Sequence, residues 1–180
     1  MKKFGLIVIS IVAFCAAIHA QKAAGATKPD PAKGVRDAFD RMVEGIRQVD
    51  AEKLMSVYDN SERTLFFNSN GTVTMGWTQM KSNRESGFKH IKNVTLEPTG
   101  VRVEMLSATS AYVSFKWKQT QEYDGKLESA SGRTTLVFKK IGKDWKAVHV
   151  HVSPDNVPAD RPVLDSERVK PDAETKPELK

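Results

Sequence analysis

A chain of 180 residues with 39% apolar and 28% charged residues suits one globular domain with terminal tails, and this composition excludes general disorder. The formal net charge of +6 is small and is not gathered into one basic block, so no nucleic-acid partner is expected. Cys15 is the only cysteine and lies in the N-terminal segment discussed next, which excludes disulfide and thiolate chemistry from the rest of the chain.

The first twenty residues have the pattern of a secretory signal peptide. A positively charged start is followed by the apolar run 4–18 and then by small residues. We predict cleavage after Ala20, or as late as Ala26, and a secreted or periplasmic location. The run is too short to span a membrane comfortably, so no membrane association is expected after its removal. Residues 1–20 carry two lysines and no acidic residue, and the net charge then falls to +4.

Both ends of the remaining chain have compositions that are unfavourable for a packed core. Residues 21–32 are rich in alanine, lysine and proline and are interpreted as a linker. Residues 154–180 contain five of the eight prolines and no aromatic residue, which predicts a disordered tail. Residues 33–153 are therefore expected to form the single domain.

The first part of this domain has helical periodicity. Apolar residues from Val35 to Ile46 recur every three or four positions and predict an amphipathic helix. Asp50 is the predicted N-cap of a second helix, whose buried side includes Leu54 and Tyr58. A third helix is predicted with Thr78 as its N-cap and with three residues along one side: Met80, Arg84 and Phe88.

From residue 92 onward the apolar period becomes two, which predicts long antiparallel strands. Turns are expected at residues 123–126 and 141–144. A short strand is also predicted over 63–68, before an Asn-Gly turn. Helices followed by strands indicate an α+β fold in which three N-terminal helices pack on one face of a curved antiparallel sheet.

The last predicted strand concentrates the candidate chemistry. If the strand alternates regularly, Trp145, His149 and His151 share one face, while Val148 and Val150 lie on the other. Two imidazoles would then lie side by side. The valine pattern alone favours burial of the valine face and exposure of the histidines.

The end of this domain resembles the SnoaL-like branch of the nuclear transport factor 2-like superfamily. The resemblance is carried by Gly142, Trp145, His149, His151 and Ser153 in the last strand. Further matching residues lie in the penultimate strand, in a middle strand and in the second helix: Arg133, Thr135, Val137, Ser110, Ala111, Tyr112, Val113, Asp50, Leu54 and Tyr58.

The resemblance implies a cone-shaped barrel with a ligand pocket between the helices and the concave face of the sheet. It also implies that the Trp145 face points inward, so that the histidines line the cavity, and that the convex face often forms a homodimer. It does not imply one activity, because this fold is used by isomerases, cyclases, dehydratases, assembly domains and binding domains.

Three residues are candidates for catalysis. His149 or His151 could act as a general base, with Tyr58 as a hydrogen-bond donor to a developing oxyanion. The alternative, which is favoured, is that both histidines are half-buried and hydrogen-bonded to neighbouring strands or to Arg133. A metal site is not predicted, because a pair of histidines lacks a third ligand. No cofactor is predicted.

Candidate ligand contacts are four aromatic residues that could line an apolar cavity or simply form core: Trp77, Phe115, Trp117 and Trp145. Arg133 could point inward and bind an anionic group, or point outward and pair with Glu128 or a neighbouring strand. We predict an exported, noncatalytic domain that binds a small, partly apolar ligand, as a homodimer. The alternatives are a proton-transfer isomerase, cyclase or dehydratase, and an assembly module.

Overall fold

Three helices cover one face of a six-stranded sheet in residues 30–156, the part of the chain that the computed structural model describes. The predicted signal peptide, the linker up to residue 29 and the tail from residue 157 lie outside the described residues. Between residues 30 and 156, no helix has the length and apolar character needed to cross a membrane. The elements are α1 Lys33–Arg47, α2 Ala51–Met55, β1 Leu65–Phe67, β2 Val73–Met75, α3 Trp77–Phe88, β3 Ile91–Ser107, β4 Ser110–Tyr123, β5 Lys126–Ile141 and β6 Asp144–Pro154.

The sheet has the strand order β2-β1-β6-β5-β4-β3. All neighbouring pairs are antiparallel except β1 and β6, which are parallel. Register shifts interrupt the β3–β4 and β5–β6 pairings, and such irregularities bend and twist a sheet. The predicted α+β class, with helices on one face of a curved and mostly antiparallel sheet, is confirmed.

The two faces of the sheet differ in burial. We call the surface that carries Val113, Phe115, Leu136 and Phe138 the inner face, because these side chains are buried with the helices in one hydrophobic core. The opposite surface, which carries Arg133, Thr135 and Val137, is the outer face. Alternation of buried and more exposed residues along β4 and β5 follows from the period of two in a strand.

The helices α1 and α2 begin much as the sequence predicts. In α1 the buried side includes Val35, Phe39 and Met42. The Asp50 side chain accepts a hydrogen bond of 2.8 Å from the Lys53 backbone nitrogen, which confirms it as the N-cap of α2. The helix ends at Met55, so Tyr58 lies in the following turn and not on the helix. Tyr58 is still buried, because its backbone bridges β6 at Ala147.

The start of α3 differs from the prediction. Gly76, and not Thr78, occupies the N-cap position, with a φ of 89° that favours glycine. The Thr78 hydroxyl donates instead to a Glu62 carboxylate oxygen at 3.2 Å. The predicted side of the helix is present: Met80 is buried and Phe88 packs against the core. Arg84 lies between them at helical spacing, and so on the stripe that faces the core.

A β-bulge changes the phase of β6 in its middle. Phe138 pairs with Ala147, but the next residue of β5, Val137, pairs with His149, so Val148 is the extra residue. Trp145 and Ala147 are buried on the inner face before the bulge, and Val150 is buried there after it. His149 and His151 consequently lie on the outer face. The expectation that both histidines share the inward face of Trp145 is wrong, because it assumed regular alternation along the whole strand.

Candidate functional site in the cone

The interior of the cone, between the inner face and the helices, is apolar around Leu136 and becomes more polar toward Trp117. The pairing of β5 with its neighbours places Leu136 opposite Val113 on β4 and Val150 on β6. Two residues earlier on β5 lies Thr134, one of the few buried polar residues, and two residues earlier again Gly132 pairs with Trp117. Polar groups therefore enter the interior at the Trp117 end of the sheet.

Trp117 carries a buried donor with no partner. Its side chain is 9% exposed, and its Nε1 has no hydrogen-bond acceptor among residues 30–156. The ring lies across Gly132, where a Cβ would be 2.7 Å from Cζ2 of the indole. An unpaired buried donor costs about 1–3 kcal/mol, so native proteins seldom retain one without a reason. This N–H group is the clearest mark of a ligand site in the described chain.

Tyr58 faces the same interior from the turn after α2. Its ring is 4.9 Å from the ring of Phe66, which is itself buried. Burial raises the pKa of the Tyr58 phenol from 10 to about 12, while the positive charge of Arg84 acts in the opposite direction. The phenol is therefore protonated at physiological pH and is available as a hydrogen-bond donor.

Arg84 is the functional candidate that the sequence analysis did not select. It is half-buried on the core-facing stripe of α3 and close enough to Tyr58 for its charge to act on that hydroxyl. No carboxylate of residues 30–156 forms an ion pair with it. The sequence did contain a signal for Arg84, namely its spacing. A charged residue four positions from both Met80 and Phe88 must lie on their side of the helix.

The other predicted aromatic contacts have mainly structural surroundings. Trp145 is buried against Gly34 of α1, and Phe115 makes an edge-to-face contact with Phe39 at 5.0 Å. Trp77 is half-buried and donates its Nε1 hydrogen to the Met55 carbonyl oxygen at 2.9 Å, which joins α3 to α2. Of the four predicted aromatic residues, only Trp117 has a fully buried polar atom without a hydrogen-bond partner within residues 30–156.

Arg133 lies on the outer face, so the inward alternative is not adopted. Its side chain is 69% exposed, and its Nη2 is 3.4 Å from the Asp155 carboxylate. The reason is strand phase: Thr134 and Leu136 are buried, which turns Arg133 and Thr135 outward. The outward alternative holds, with Asp155 as the partner and not Glu128.

His149 and His151 surround an aromatic residue on the outer face. Their ring centroids are 5.2 and 5.4 Å from that of Phe67, both nearly perpendicular to it. His149 Nδ1 is 3.1 Å from the Leu65 carbonyl oxygen, so this nitrogen carries the hydrogen. The sheet separates both histidines from Tyr58, and the predicted acid–base set is not assembled. Residues 30–156 contain no group of three or more histidine, cysteine or acidic side chains that could hold a metal ion.

A charged groove of about 490 Å³ lies outside the cone, at the surface between α1 and β3. It is bordered by Arg41, Glu44, Lys53 and Pro98 among others. Arg47 in its wall is already engaged, since it donates two hydrogen bonds to the Leu96 carbonyl oxygen at 3.0 and 2.6 Å. Side chains of both charges border this groove, and none of them has a buried polar atom without a hydrogen-bond partner. The cone interior is therefore the better candidate for a ligand site.

Comparison with known proteins supports the predicted resemblance. The family model described as the SnoaL-like domain matches residues 35–159. A nuclear transport factor 2-like superfamily protein from Salmonella enterica serovar Typhimurium has a similar structure, with 23% sequence identity and a TM-score of 0.63 over 75% of this chain and 96% of that one. No curated protein matches the sequence.

Two further solved structures show the same fold at lower identity. A ketosteroid isomerase-like protein from Erwinia carotovora has 14% identity and a TM-score of 0.62, covering 72% of this chain and 99% of that one. A nuclear transport factor 2-like protein of unknown function from Shewanella oneidensis has 19% identity and a TM-score of 0.55, covering 69% and 99%. At these identities the likeness shows the fold and leaves the activity open.

Proposed function

Because the chain belongs to the SnoaL-like family, we propose that it binds a small, partly apolar ligand in the cone and does not catalyse a reaction on it. The observation that carries the proposal is the buried Trp117 Nε1 without an acceptor. A bound ligand with a hydrogen-bond acceptor would satisfy this donor, and the neighbouring aromatic core would contact the apolar part. Ligand binding would thereby remove the energetic penalty of the unpaired group.

The proton-transfer alternative has less support from the geometry. A general base must lie within hydrogen-bond reach of the proton that it removes, and both histidines named for this role are on the outer face. His90, the remaining histidine of residues 30–156, is exposed and pairs with Asp124 at 2.9 Å. Tyr58 alone supplies a donor and no base. This arrangement favours binding without turnover.

Native mass spectrometry of the protein purified from its own compartment tests the binding proposal. We expect a small molecule to be retained by the wild-type protein and lost from Trp117→Phe, which removes the indole N–H group and keeps an aromatic ring. Trp77→Phe is the matched control, because its indole N–H group is already bonded to Met55. A wild-type protein without bound ligand, or equal retention by both variants, would contradict the proposal.

The same measurement tests the proposed export. We propose that residues 1–20 direct the chain to a secreted or periplasmic location and are removed there, on the pattern of a charged start, an apolar run and small residues. The purified chain should then have the mass of a protein that begins at Gln21, or at Thr27 if cleavage follows Ala26. An intact N-terminal Met1 on the exported protein would contradict cleavage.

We further propose that the chain forms a homodimer through its outer face. Such an interface would also be compatible with an assembly role. The support is an apolar strip at the β1–β2 edge, where Val73 and Met75 are 37% and 66% exposed beside the half-buried Phe67. Burial of exposed apolar surface is the main favourable contribution to association. The test of this surface is given with the whole-molecule predictions below.

A further inference from the structure

Three side chains at the cone interior can donate hydrogen bonds: Trp117, Arg84 and Tyr58. An indole offers only its N–H group, and a guanidinium offers five N–H groups and no acceptor. The phenol of Tyr58 stays protonated and can donate as well. A ligand that forms hydrogen bonds with both Trp117 and Arg84 must therefore carry hydrogen-bond acceptors. Its polar group needs no hydrogen-bond donor.

The charge of Arg84 adds a second requirement. Three carboxylates near α3 are engaged elsewhere: Glu52 and Glu85 both contact Lys81, and Glu62 accepts from Thr78. A half-buried guanidinium without a carboxylate partner in residues 30–156 is therefore left on the side of the helix that faces the core.

Building on the proposed function, we infer that the ligand of the cone is a small apolar carboxylate, and that Arg84 binds its carboxylate group. The planar guanidinium matches a carboxylate with two parallel hydrogen bonds, which a neutral ligand could not form with the same strength. Trp117 Nε1, the buried donor without an acceptor, is the second donor that we assign to this ligand. The apolar part of the ligand lies against the aromatic core between them, which includes Phe115.

Paired neutral and charged probes test this inference on the full mature chain. The probes are benzoate, 2-naphthoate and decanoate, each with its neutral amide, and binding is followed by the indole N–H resonances in nitrogen–proton NMR spectra. At least one acid should shift the Trp117 indole resonance downfield, with an affinity about tenfold or more above that of its amide. The Trp77 indole, already bonded to Met55, should not shift.

Variants test whether Arg84 is responsible for the preference for the acid over the amide. Arg84→Met should lower the affinity for the acid to about that for the amide, and should lower the affinity for the amide much less, because the amide loses a hydrogen bond to a neutral acceptor and no ion pair. Arg84→Lys should retain part of the preference, since it keeps the charge and loses the planar group. Arg102→Met is the matched control for net charge, because Arg102 is a 65% exposed residue that pairs with Glu104. Preference for the acid should persist in this control.

The outcomes separate the two levels of the proposal. If acids and amides bind equally, the cone binds ligands without recognising charge, so this inference is overturned and the proposed function stands. If no probe of any size shifts the Trp117 resonance, both are overturned. If Arg84→Met does not fold, Arg84→Lys and the comparison of acid with amide in the wild-type protein still decide the question.

Discussion

Tyr58 couples the interior of the cone to pH through a single buried phenol. The phenol has a pKa of about 12 in the folded chain, against 10 when it is exposed. The folded state therefore holds this proton more tightly than the unfolded state. The contribution to stability is complete below pH 10 and is lost as the pH rises from 10 toward 12.

We expect Tyr58→Phe to remove this dependence on pH. The free energy of unfolding of the wild-type protein, measured with denaturant, should fall relative to that of Tyr58→Phe between pH 10 and about 12, and the difference should be constant below pH 10. Comparison with the variant cancels the titration of lysines and of the other tyrosines. A difference that does not change with pH across this range would show that Tyr58 is not buried as described.

At the scale of elements, two glycines in helices have opposite surroundings. A Cβ at Gly45 of α1 would lie 2.7 Å from the Leu54 backbone nitrogen, where α1 and α2 approach each other. A Cβ at Gly87 of α3 would meet nothing within 4 Å. The first position requires glycine because backbone is the obstacle, whereas the second has no steric requirement.

Gly45→Ala should therefore destabilise the protein by about 1–3 kcal/mol, the usual effect of overpacking at a rigid contact. Gly87→Ala should stabilise it by up to about 1 kcal/mol, because alanine favours the helix. Thermal unfolding followed by circular dichroism measures both, and each variant serves as the control for the other. Equal effects of the two substitutions would contradict the close approach of α1 and α2.

The accuracy of prediction from the sequence depended on how local the signal was. Asp50 was identified as a cap because its acceptor and the Lys53 nitrogen are three residues apart. The turn at 123–126 was identified because Asp124 and Gly125 suit positive φ angles, which both adopt. The family resemblance and the α+β order were also identified, and the family match and the sheet confirm them.

The candidate site was harder to predict from the sequence, because it depends on the phase of strands and on contacts between residues that are distant in sequence. One extra residue in β6 moved both histidines to the outer face while Trp145 stayed inside. The valine pattern favoured exposure of the histidines, but it could not reveal the bulge that separates their face from that of Trp145. Arg84 was overlooked because its lack of an ion pair is visible only after Glu52, Glu62 and Glu85 are placed. Trp117 was predicted as a ligand contact, but its unpaired nitrogen could be seen only in three dimensions.

At the scale of the whole molecule, the sheet is covered by helices on one face only. The β2–β1 edge of the outer face carries the exposed Val73 and Met75, while the opposite edge strand, β3, carries Leu106 at 61% exposure. The two edges are separated by the full width of the sheet, so they can be altered independently. Only the first belongs to the proposed dimer surface.

Met75→Glu should shift the protein from dimer to monomer, because it would place a charge in an apolar contact on both subunits. Size-exclusion chromatography with light scattering measures the mass in solution, at concentrations near the dissociation constant. Leu106→Glu is the control, an equally drastic change at a similarly exposed position, and it should leave the dimer intact. A wild-type monomer, or equal loss of the dimer in both variants, would contradict an interface at this edge.

The bulge at Val148 has a consequence for the comparison of this chain with its relatives. A relative that lacks the extra residue would keep the same pairing if its chain were shorter by one position there, because Phe138 and Val137 would then face consecutive residues of β6. Correct alignment of such a relative requires a one-residue gap at Val148. Without that gap, His149 and His151 would be aligned with inward-facing positions of the relative, and catalytic roles would be transferred to the wrong side of the sheet.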